Sequence, residues 1–355
     1  MIYRALRPLL FQLDAADAHE LASDALGAIE HVGFMRSAVR SLCTSSDPRI
    51  AVRALGLDFA SPLGLAGGFD KNAMRPRALA SLGFGFLELG TVTARAQDPN
   101  PSPNLFRLPD DRALINRLGF PNEGADVVAT RFAAKGACGV PVGFSIGKSR
   151  VVDVEDAVDD YVASFRAVHP VSDFVVVNVS SPNTKNLRAL QSADIARTLL
   201  SALVAENRPK KPLLLKIAPD LADRDIEALL AVVEEVALDG VIATNTTIAR
   251  RDLKSAPELT AETGGLSGPP LRARAREVVR RVRARLGRRV TVIGVGGIES
   301  AHDALSFIRA GADLVQLYTG FIYGGPGTPH RIARELSELL RRESVSSISE
   351  LVGVE

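Results

Sequence analysis

Eight short apolar runs, spread over most of the chain, constrain its fold more than any other feature. They are near-continuous in Val, Ile and Leu rather than alternating, as in parallel strands that are covered on both faces. The runs are 62–67, 84–91, 140–147, 174–181, 212–219, 240–246, 290–297 and 314–320. Stretches with helical periodicity, such as 221–238 and 271–287, separate most of them. Eight strand–helix repeats favour a closed (β/α)8 TIM barrel over an open doubly wound sheet, which has the same periodicity.

Length and composition are consistent with a barrel and narrow the classes of function. The 355 residues, 46% of them hydrophobic, suffice for one barrel with additions. No run is long enough to span a bilayer, and the first residues offer no cleavable signal site. The two cysteines lie in no zinc or CxxC spacing, which is typical of a cytosolic chain without disulfides. A net charge of +2 does not favour nucleic acid, and the Arg-rich stretch 272–289 has the apolar spacing of a solvated helix.

The chain divides into three parts. Residues 1–45 form a helical extension, 46–340 the barrel, and 341–355 a C-terminal tail. In the extension, 17–32 carries apolar positions spaced for one helix face. Such a face either caps the barrel, which the residues alone favour, or lies on a membrane surface.

Two connections are too long for plain strand–helix loops. Residues 92–139 contain a predicted hairpin, Leu105–Leu108 and Ala113–Asn116, around a Pro-Asp-Asp turn. Residues 247–270 contain the Gly-rich sequence GGLSG at 264–268. Long loops at the catalytic face of a barrel are usually functional, so both are expected near the site.

Polar and glycine residues cluster where the apolar runs end. The clusters include Lys71, Thr91, 178–183, Lys216, 244–246, 296–297 and 318–320. In a barrel these ends meet at the C-terminal face, where barrel enzymes build their sites. Loops also begin there, but that alone explains one or two polar clusters rather than so many.

Three features of these clusters suggest particular ligands. Gly268, Gly297 and 318–320 belong to the last two strands and the loop before them, where barrels hold phosphate groups on backbone N–H groups. Lys216, inside the run LLLKIAP, must be paired or serve an anionic ligand such as a reduced flavin, unless it reaches out to water. Asn116, Asn178, Asn183 and Asn245 suit a planar substrate that carries amide groups.

The five histidines lie outside the clusters, which argues against a Ser-His-Asp hydrolase, and no spacing suggests a metal. The residues alone leave open a flavin-free phosphate-binding isomerase or lyase, and a non-enzymatic binder of membrane surfaces.

Together, the motifs resemble those of the dihydroorotate dehydrogenase family over essentially the whole chain. The motifs that carry this resemblance are GGFDK at 67–71, ELGTVT at 88–93, NRLGF at 116–120, NVSSPNT at 178–184, KIAP at 216–219, TNTT at 244–247, GGLSG at 264–268, GVGG at 294–297 and YTG at 318–320. None is specific alone, but the set is.

More narrowly, the chain is similar to the quinone-dependent, membrane-associated class 2 of that family. In the soluble class the catalytic base is a Cys on the loop after strand four, whereas this loop offers Ser181. The soluble class also lacks an N-terminal helical extension. The resemblance therefore reverses the assignment of residues 1–45, which are now expected to lie at the membrane and to lead a quinone to the flavin.

The resemblance implies that FMN is the prosthetic group and dihydroorotate, oxidised to orotate, the substrate in de novo pyrimidine (UMP) biosynthesis. Ser181 takes a proton from C5 while hydride leaves C6 for the flavin, with Thr184 and Phe120 shaping a proton relay. The FMN contacts implied are Gly67, Gly68, Phe69, Asp70, Lys71, Thr91, Ser145, Asn178, Lys216, Thr244, Gly268, Gly297, Tyr318 and Thr319. The substrate contacts implied are Lys71, Asn116, Arg117, Leu118, Gly119, Phe120, Asn178, Asn183, Asn245 and Thr246. The quinone is expected near His19 and Arg107.

One position departs from the family. At the end of strand three, Ser145 stands where an Asn usually contacts FMN, so a water is an alternative bridge. The expected location is peripheral, on the cytoplasmic side of the inner membrane, without nucleic acid or an obligatory protein partner. A soluble relative that uses fumarate or a nicotinamide is the alternative activity.

Overall fold

In a computed structural model of the chain, eight parallel strands close into a barrel. The structure describes residues 2–13, 15–45, 47–184 and 186–355. The barrel strands are β1 (Leu63–Leu65), β2 (Phe86–Val92), β3 (Val142–Ile146), β4 (Phe174–Asn178), β5 (Leu213–Ile217), β6 (Gly240–Ala243), β7 (Thr291–Val295) and β8 (Leu314–Leu317). Each strand pairs with the next along the chain, and Val315 of β8 pairs with Leu63 of β1. The predicted TIM barrel is confirmed, and this closing pair excludes the open sheet.

Helices surround the barrel and follow its strands. They are α1 (Ile2–Leu10), α2 (Ala15–His31), α3 (Gly33–Cys43), α4 (Pro76–Ser81), α5 (Ala125–Lys135), α6 (Ala157–Val168), α7 (Ala193–Glu206), α8 (Asp223–Glu235), α9 (Pro257–Thr260), α10 (Arg272–Leu286), α11 (Ala301–Arg309), α12 (Thr319–Gly324) and α13 (Thr328–Arg342). Short 3₁₀ turns lie at Pro48–Ile50, Pro109–Asp111, His169–Val171, Leu187–Gln191, Pro269–Leu271, Gly287–Arg289 and Ile348–Leu351. Among the described residues, no helix combines the length and apolar character needed to cross a bilayer.

Aromatic rings fill the lower part of the barrel. The rings of Phe86 and Phe174 lie 6.3 Å apart between their centroids. Each faces a glycine on the neighbouring strand, and a Cβ on Gly64 or Gly143 would lie within 2.3 Å of the ring. Alternate residues of a strand share one face, so Glu88 follows Phe86 toward the barrel interior, one layer nearer the C-terminal end. The barrel interior therefore has a layer of aromatic rings and, nearer the C-terminal ends of the strands, a polar layer.

The N-terminal helices pack on the barrel through a buried carboxylate. Glu30 of α2 is 0% exposed and accepts hydrogen bonds from Arg77 Nε at 3.1 Å and Ala78 N at 2.8 Å, at the start of α4. Lys135 Nζ lies 3.4 Å from the same carboxylate. Farther toward the N-terminus, Tyr3 Oη donates to the carbonyl of Ile322. The extension thus covers one side of the barrel mouth.

Two smaller sheets complete the fold. Val52–Ala54 and Leu57–Phe59 form an antiparallel pair. Leu105–Leu108 and Ala113–Asn116 form the predicted hairpin, and Gly265–Ser267 from the second long connection joins it. The predicted hairpin is confirmed, and the two long connections meet as one three-stranded sheet beside the barrel mouth.

The Arg-rich stretch is a solvated helix, as its apolar spacing predicts. In α10, Val278, Val279 and Val282 are buried. Its arginines pair with acidic residues of neighbouring elements, for example Arg281 with Asp223 at 2.7 Å. This helix therefore serves the outer layer of the barrel.

Candidate active site

A cavity of about 950 Å³ opens at the C-terminal ends of the barrel strands. It is lined by residues that are distant in sequence and that the strand ends bring together. The predicted residues that line it are Gly67, Gly68, Lys71, Thr91, Asn116, Leu118, Gly119, Phe120, Asn178, Ser181, Asn183, Lys216, Thr244, Asn245, Thr246, Gly268, Gly297, Tyr318 and Thr319. Barrel closure therefore gathers most of the predicted set into one site.

Amide side chains that line the cavity form two hydrogen-bonded groups. Asn183 Nδ2 donates to Asn116 Oδ1 at 3.0 Å, joining the loop after β4 to the hairpin. Asn245 Nδ2 donates to Asn178 Oδ1 at 3.2 Å, and Asn178 Nδ2 donates to Thr91 Oγ1 at 2.9 Å. Such mutual bonds fix which amide atoms remain for a ligand, so both groups are preorganised.

Ser181 lies on the loop after β4, buried at 5% exposure. Its Oγ accepts a hydrogen bond from the backbone N of Asn183 at 3.2 Å, which leaves the hydroxyl proton available for another partner. Thr184, on the same loop, has a buried Oγ1 for which the described residues provide no hydrogen-bond partner. Phe120 also lines the cavity, at a positive φ of 55°. The loop thus presents the Ser181 hydroxyl to the cavity and also carries the buried hydroxyl of Thr184.

Close backbone approaches form a cradle at the opposite end. A Cβ on Gly297 would lie 2.7 Å from the carbonyl oxygen of Gly268, and φ is positive at both residues. Only glycine allows the loops after β6 and β7 to meet in this way. Thr319 Oγ1, at the start of α12, donates to Ser267 Oγ at 2.8 Å beside them. Exposed backbone N–H groups at a helix start suit a phosphate.

Three strands contribute a buried polar layer at the cavity floor. Lys216 Nζ of β5 donates to Glu88 Oε1 of β2 at 3.0 Å, and Gln316 Nε2 of β8 donates to Glu88 Oε2 at 2.7 Å. The buried Oε1 of Gln316 has no hydrogen-bond partner in the described part of the chain. The ammonium at the floor is thus paired, and one amide oxygen remains for a ligand.

Lys71 and Tyr318 both contact the backbone carbonyl of Gly68. Lys71 Nζ donates to the Gly68 carbonyl at 2.7 Å, and Tyr318 Oη contacts the same oxygen at 3.4 Å. Desolvation lowers the pKa of Lys71 to about 8, partly opposed by Asp70. Burial raises the pKa of Tyr318 to about 12, so the phenol stays neutral. Of these two side chains, Lys71 is therefore the one whose charge changes at a pH close to neutral.

Four of the residues predicted to contact FMN or the substrate do not line this cavity. Asp70 accepts from the backbone N of Met74 at 2.7 Å and of Arg75 at 2.8 Å, ahead of α4. Arg117 pairs with Glu262 and lies over the Phe106 ring. Ser145 is bonded to Thr91 Oγ1 at 2.9 Å. Phe69 faces a different cavity, described below. Ser145 therefore supports Thr91, which lines the site, whereas the Asp70 carboxylate serves the backbone ahead of α4.

The sequence reasoning assigned no role to several residues at the site. They are Ala66, Glu88, Ser267, Leu271, Val295, Ile298 and Gln316, all but Glu88 in the lining. Glu88 and Gln316 are the polar ones in the floor. A charged or amide residue inside an otherwise apolar strand was the available signal, the same signal that identified Lys216.

A second cavity of about 1310 Å³ lies between the extension and the barrel. Its wall is mostly apolar and includes residues of α1, α2, the hairpin and α12: Tyr3, Leu10, Phe11, Ala18, Leu21, Ala22, Ala25, Leu26, Ile29, Phe69, Leu82, Leu105, Arg107, Leu114, Tyr318, Phe321, Ile322, Gly325 and Pro326. Tyr318 lines both cavities. Arg107, predicted near the quinone, lies in this wall and donates to the Leu13 carbonyl at 2.7 Å. His19 belongs to α2, but its side chain lies outside the described part of the structure.

Comparisons with known proteins agree with this geometry. A family model described as "Dihydroorotate dehydrogenase" matches residues 49–340. The chain is 49% identical over 365 residues to a dihydroorotate dehydrogenase (quinone) of Thermobifida fusca, covering 100% of this chain and 97% of that relative. It is 48% identical over 355 residues to the protein of the same name in Gloeobacter violaceus, covering 99% and 98%. The crystal structure of DHODH from Eimeria tenella in complex with ferulenol matches with a TM-score of 0.88 at 35% identity, over 98% of each chain.

Proposed function

The chain belongs to the dihydroorotate dehydrogenase family, and from that premise we propose that it oxidises (S)-dihydroorotate to orotate with FMN and a quinone. This step forms the aromatic ring of orotate in de novo pyrimidine biosynthesis. One observation carries the proposal. The strand ends gather Lys71, Ser181 and the asparagine side chains at a cavity whose floor holds Lys216, and Tyr318 separates it from an apolar cavity.

Three features of the polar cavity fit FMN. The cradle at Gly268 and Gly297 suits its phosphate, because side chains there would fill the space. The Oε1 of Gln316, which has no partner among the described residues, supplies an acceptor at the floor. Lys216 supplies a cation near where a flavin gains negative charge. When bound, FMN supplies the acceptor for the hydride that leaves C6 of dihydroorotate.

The remaining chemistry belongs to side chains of this chain. Lys71 and the amides of Asn116, Asn183 and Asn245 bind and orient the substrate, with Thr246 and the 116–120 loop beside it. Ser181 Oγ takes the proton from C5, and the proton then passes toward Thr184 Oγ1. A serine is a weak base alone, so its burial and its hydrogen bond to Asn183 N must orient it toward C5.

The apolar cavity fits a quinone, which is flat and poorly soluble in water. It borders the polar cavity at Tyr318, so a quinone there lies beside a flavin in the first cavity. Leu9, Phe34 and Leu42 of the extension are exposed, at 62%, 77% and 75%. Exposed apolar side chains on surface helices favour attachment to a membrane, here the cytoplasmic side of the inner membrane.

Anaerobic spectroscopy tests the proposal directly. Purified protein supplied with FMN should be yellow, should bleach with dihydroorotate, and should recover its colour when a soluble ubiquinone analogue is added. A protein that binds no flavin, or whose flavin dihydroorotate does not bleach, would contradict the assignment.

Steady-state turnover separates the quinone reaction from that of a soluble relative. Because the apolar cavity is built for a hydrophobic acceptor, quinone should support turnover, whereas fumarate and NAD⁺ should not. Strong turnover with fumarate and none with quinone would favour the soluble alternative.

A further inference from the structure

Lys216 and Glu88 form an ion pair, with no net charge, at the floor of the polar cavity. Lys216 Nζ is 3.0 and 3.2 Å from the two carboxylate oxygens of Glu88. Glu88 is 0% exposed, Lys216 5% and Gln316 1%. Charges removed from water to this extent are strongly destabilising unless they are paired. The ammonium that faces the cavity therefore carries its counter-ion with it.

The three members of this layer do not have equal access to a ligand. Lys216 and Gln316 line the cavity, whereas Glu88 lies behind them. A Cβ on Gly67 would lie 2.3 Å from Glu88 Oε1, so the carboxylate sits against the backbone of a residue that does line the cavity. Glu88 is thus close to any flavin bound there without touching it, and it must act through Lys216.

We infer that Glu88 is a positioning residue that fixes Lys216 Nζ at the floor, offsets its charge, and so lowers the reduction potential of the bound flavin. This inference rests on the proposed function, since it concerns FMN in the polar cavity. A hydride brings two electrons and one proton to FMN, so the site gains one negative charge. The Glu88 carboxylate opposes that gain, and burial weakens the dielectric screening between them.

The pairing has a direct consequence for electron transfer. An unpaired ammonium would stabilise the reduced flavin and make it a weaker donor to the quinone. Glu88 keeps the ammonium available for orientation while limiting this stabilisation. Loss of the carboxylate should therefore favour reduction by dihydroorotate and slow reoxidation by the quinone.

The test is a spectroelectrochemical titration of the FMN-loaded protein at pH 6.5. Glu88→Gln keeps the shape of the side chain and removes its charge. It should change the equilibrium constant for two-electron reduction at least tenfold in favour of the reduced form, a rise in midpoint potential of about 30 mV. Glu88→Asp, whose carboxylate lies farther from Lys216, should give a smaller rise, and it decides the matter if Glu88→Gln does not fold.

Glu30→Gln is the matched control. Glu30 is also 0% exposed and ion-paired, but with Arg77 and Lys135 on the outside of the barrel. It should lower thermal stability as Glu88→Gln does, while the midpoint potential stays at the wild-type value. A potential that moves equally in both variants would reveal a general loss of packing and overturn the inference.

The remaining outcomes separate this inference from the proposed function. Wild-type protein that bleaches with dihydroorotate, together with Glu88 variants at the wild-type potential, would overturn the inference alone. Wild-type protein that binds no FMN, or that does not bleach, would overturn both.

Discussion

At the scale of single residues, the site combines groups that are held by neighbours with groups that remain free for a ligand. The amides of Asn178 and Asn245 are bonded to each other, whereas Ser181 Oγ has one hydrogen bond among the described residues, accepted from Asn183 N. Asn178 and Asn245 are therefore fixed in orientation, whereas the Ser181 hydroxyl oxygen can still accept a proton.

Ser181→Ala should slow reduction of the flavin by dihydroorotate about 10²- to 10⁴-fold, the usual contribution of a general base. FMN should remain bound, because Ser181 is not part of the Gly268–Gly297 cradle. Stopped-flow absorbance under anaerobic conditions measures the reduction rate, and the visible spectrum reports the bound flavin. A wild-type reduction rate in this variant would remove Ser181 from the mechanism.

Lys71 should make substrate capture depend on pH. Desolvation lowers the pKa of Lys71 to about 8, so the ammonium is present below pH 8 and is lost above it. An anionic substrate needs that cation, and kcat/KM for dihydroorotate should therefore fall as the pH rises through about 8. Lys71→Arg, which stays charged, should move this limb above pH 9. A limb that stays near 8 in the variant would belong to another group.

At the scale of elements, one arginine joins the loops that carry the substrate contacts. Arg188 follows the loop after β4, and its Nε donates to the Ser180 carbonyl at 3.0 Å. Its Nη2 donates to the Thr246 carbonyl at 3.1 Å, and its Nη1 pairs with Asp220 at 2.9 Å. The loops after β4, β5 and β6 are thus held together from behind by a single side chain.

Arg188→Ala should lower kcat about tenfold or more, because Thr246 and Ser180, which precedes Ser181, lose their common support and small misplacements are costly in catalysis. FMN content should stay unchanged. Arg283→Ala is the matched control, since Arg283 also joins a carbonyl, that of Gly311, to an aspartate, Asp313, but away from the cavity. Equal losses of kcat in the two variants would indicate a general loss of stability instead.

The elements also show how far the sequence could predict the structure. All eight strands lie within or nearly within the predicted runs, because buried parallel strands need continuous apolar residues. The runs extend beyond β4 and β8, for instance, because Val179 remains buried and Tyr318 half-buried after strand pairing has ended. Local pattern cannot separate these two situations.

Side-chain pairings across the barrel could not be predicted from the sequence, for a different reason. Glu88 and Lys216 are 128 positions apart, and only the closure and register of the barrel bring them together. Asp70 was expected at the cofactor, but its carboxylate is used by the backbone ahead of α4. The motifs at 67–71 and 88–93 placed Asp70 and Glu88 near the site. Their hydrogen-bond partners could be identified only from the folded structure.

At the scale of the whole molecule, the extension and the barrel enclose two cavities of opposite character. The polar cavity belongs to the barrel alone, whereas α1 and α2 supply much of the apolar wall. The two halves of the proposed reaction therefore depend on different parts of the chain. A change in α2 should affect one half only.

Ala25→Trp should fill part of the apolar cavity and raise the KM for quinone about tenfold or more. Reduction of the flavin by dihydroorotate should keep its wild-type rate, because Ala25 lies outside the polar cavity. Ala28→Trp, on the same helix but outside the cavity wall, is the control and should leave both reactions unchanged. Slower flavin reduction in Ala25→Trp would show that the two cavities are not independent.

Tyr318 is the boundary at which these two environments meet, and its place has a consequence for inhibition under the proposed function. Dihydroorotate, a water-soluble carboxylate, and a lipid-soluble quinone have separate cavities, so neither has to leave before the other binds. Inhibitors that bind in the apolar cavity should leave the affinity for dihydroorotate unchanged, and orotate analogues should not compete with the quinone. Two unlike inhibitors could then occupy one enzyme molecule at the same time.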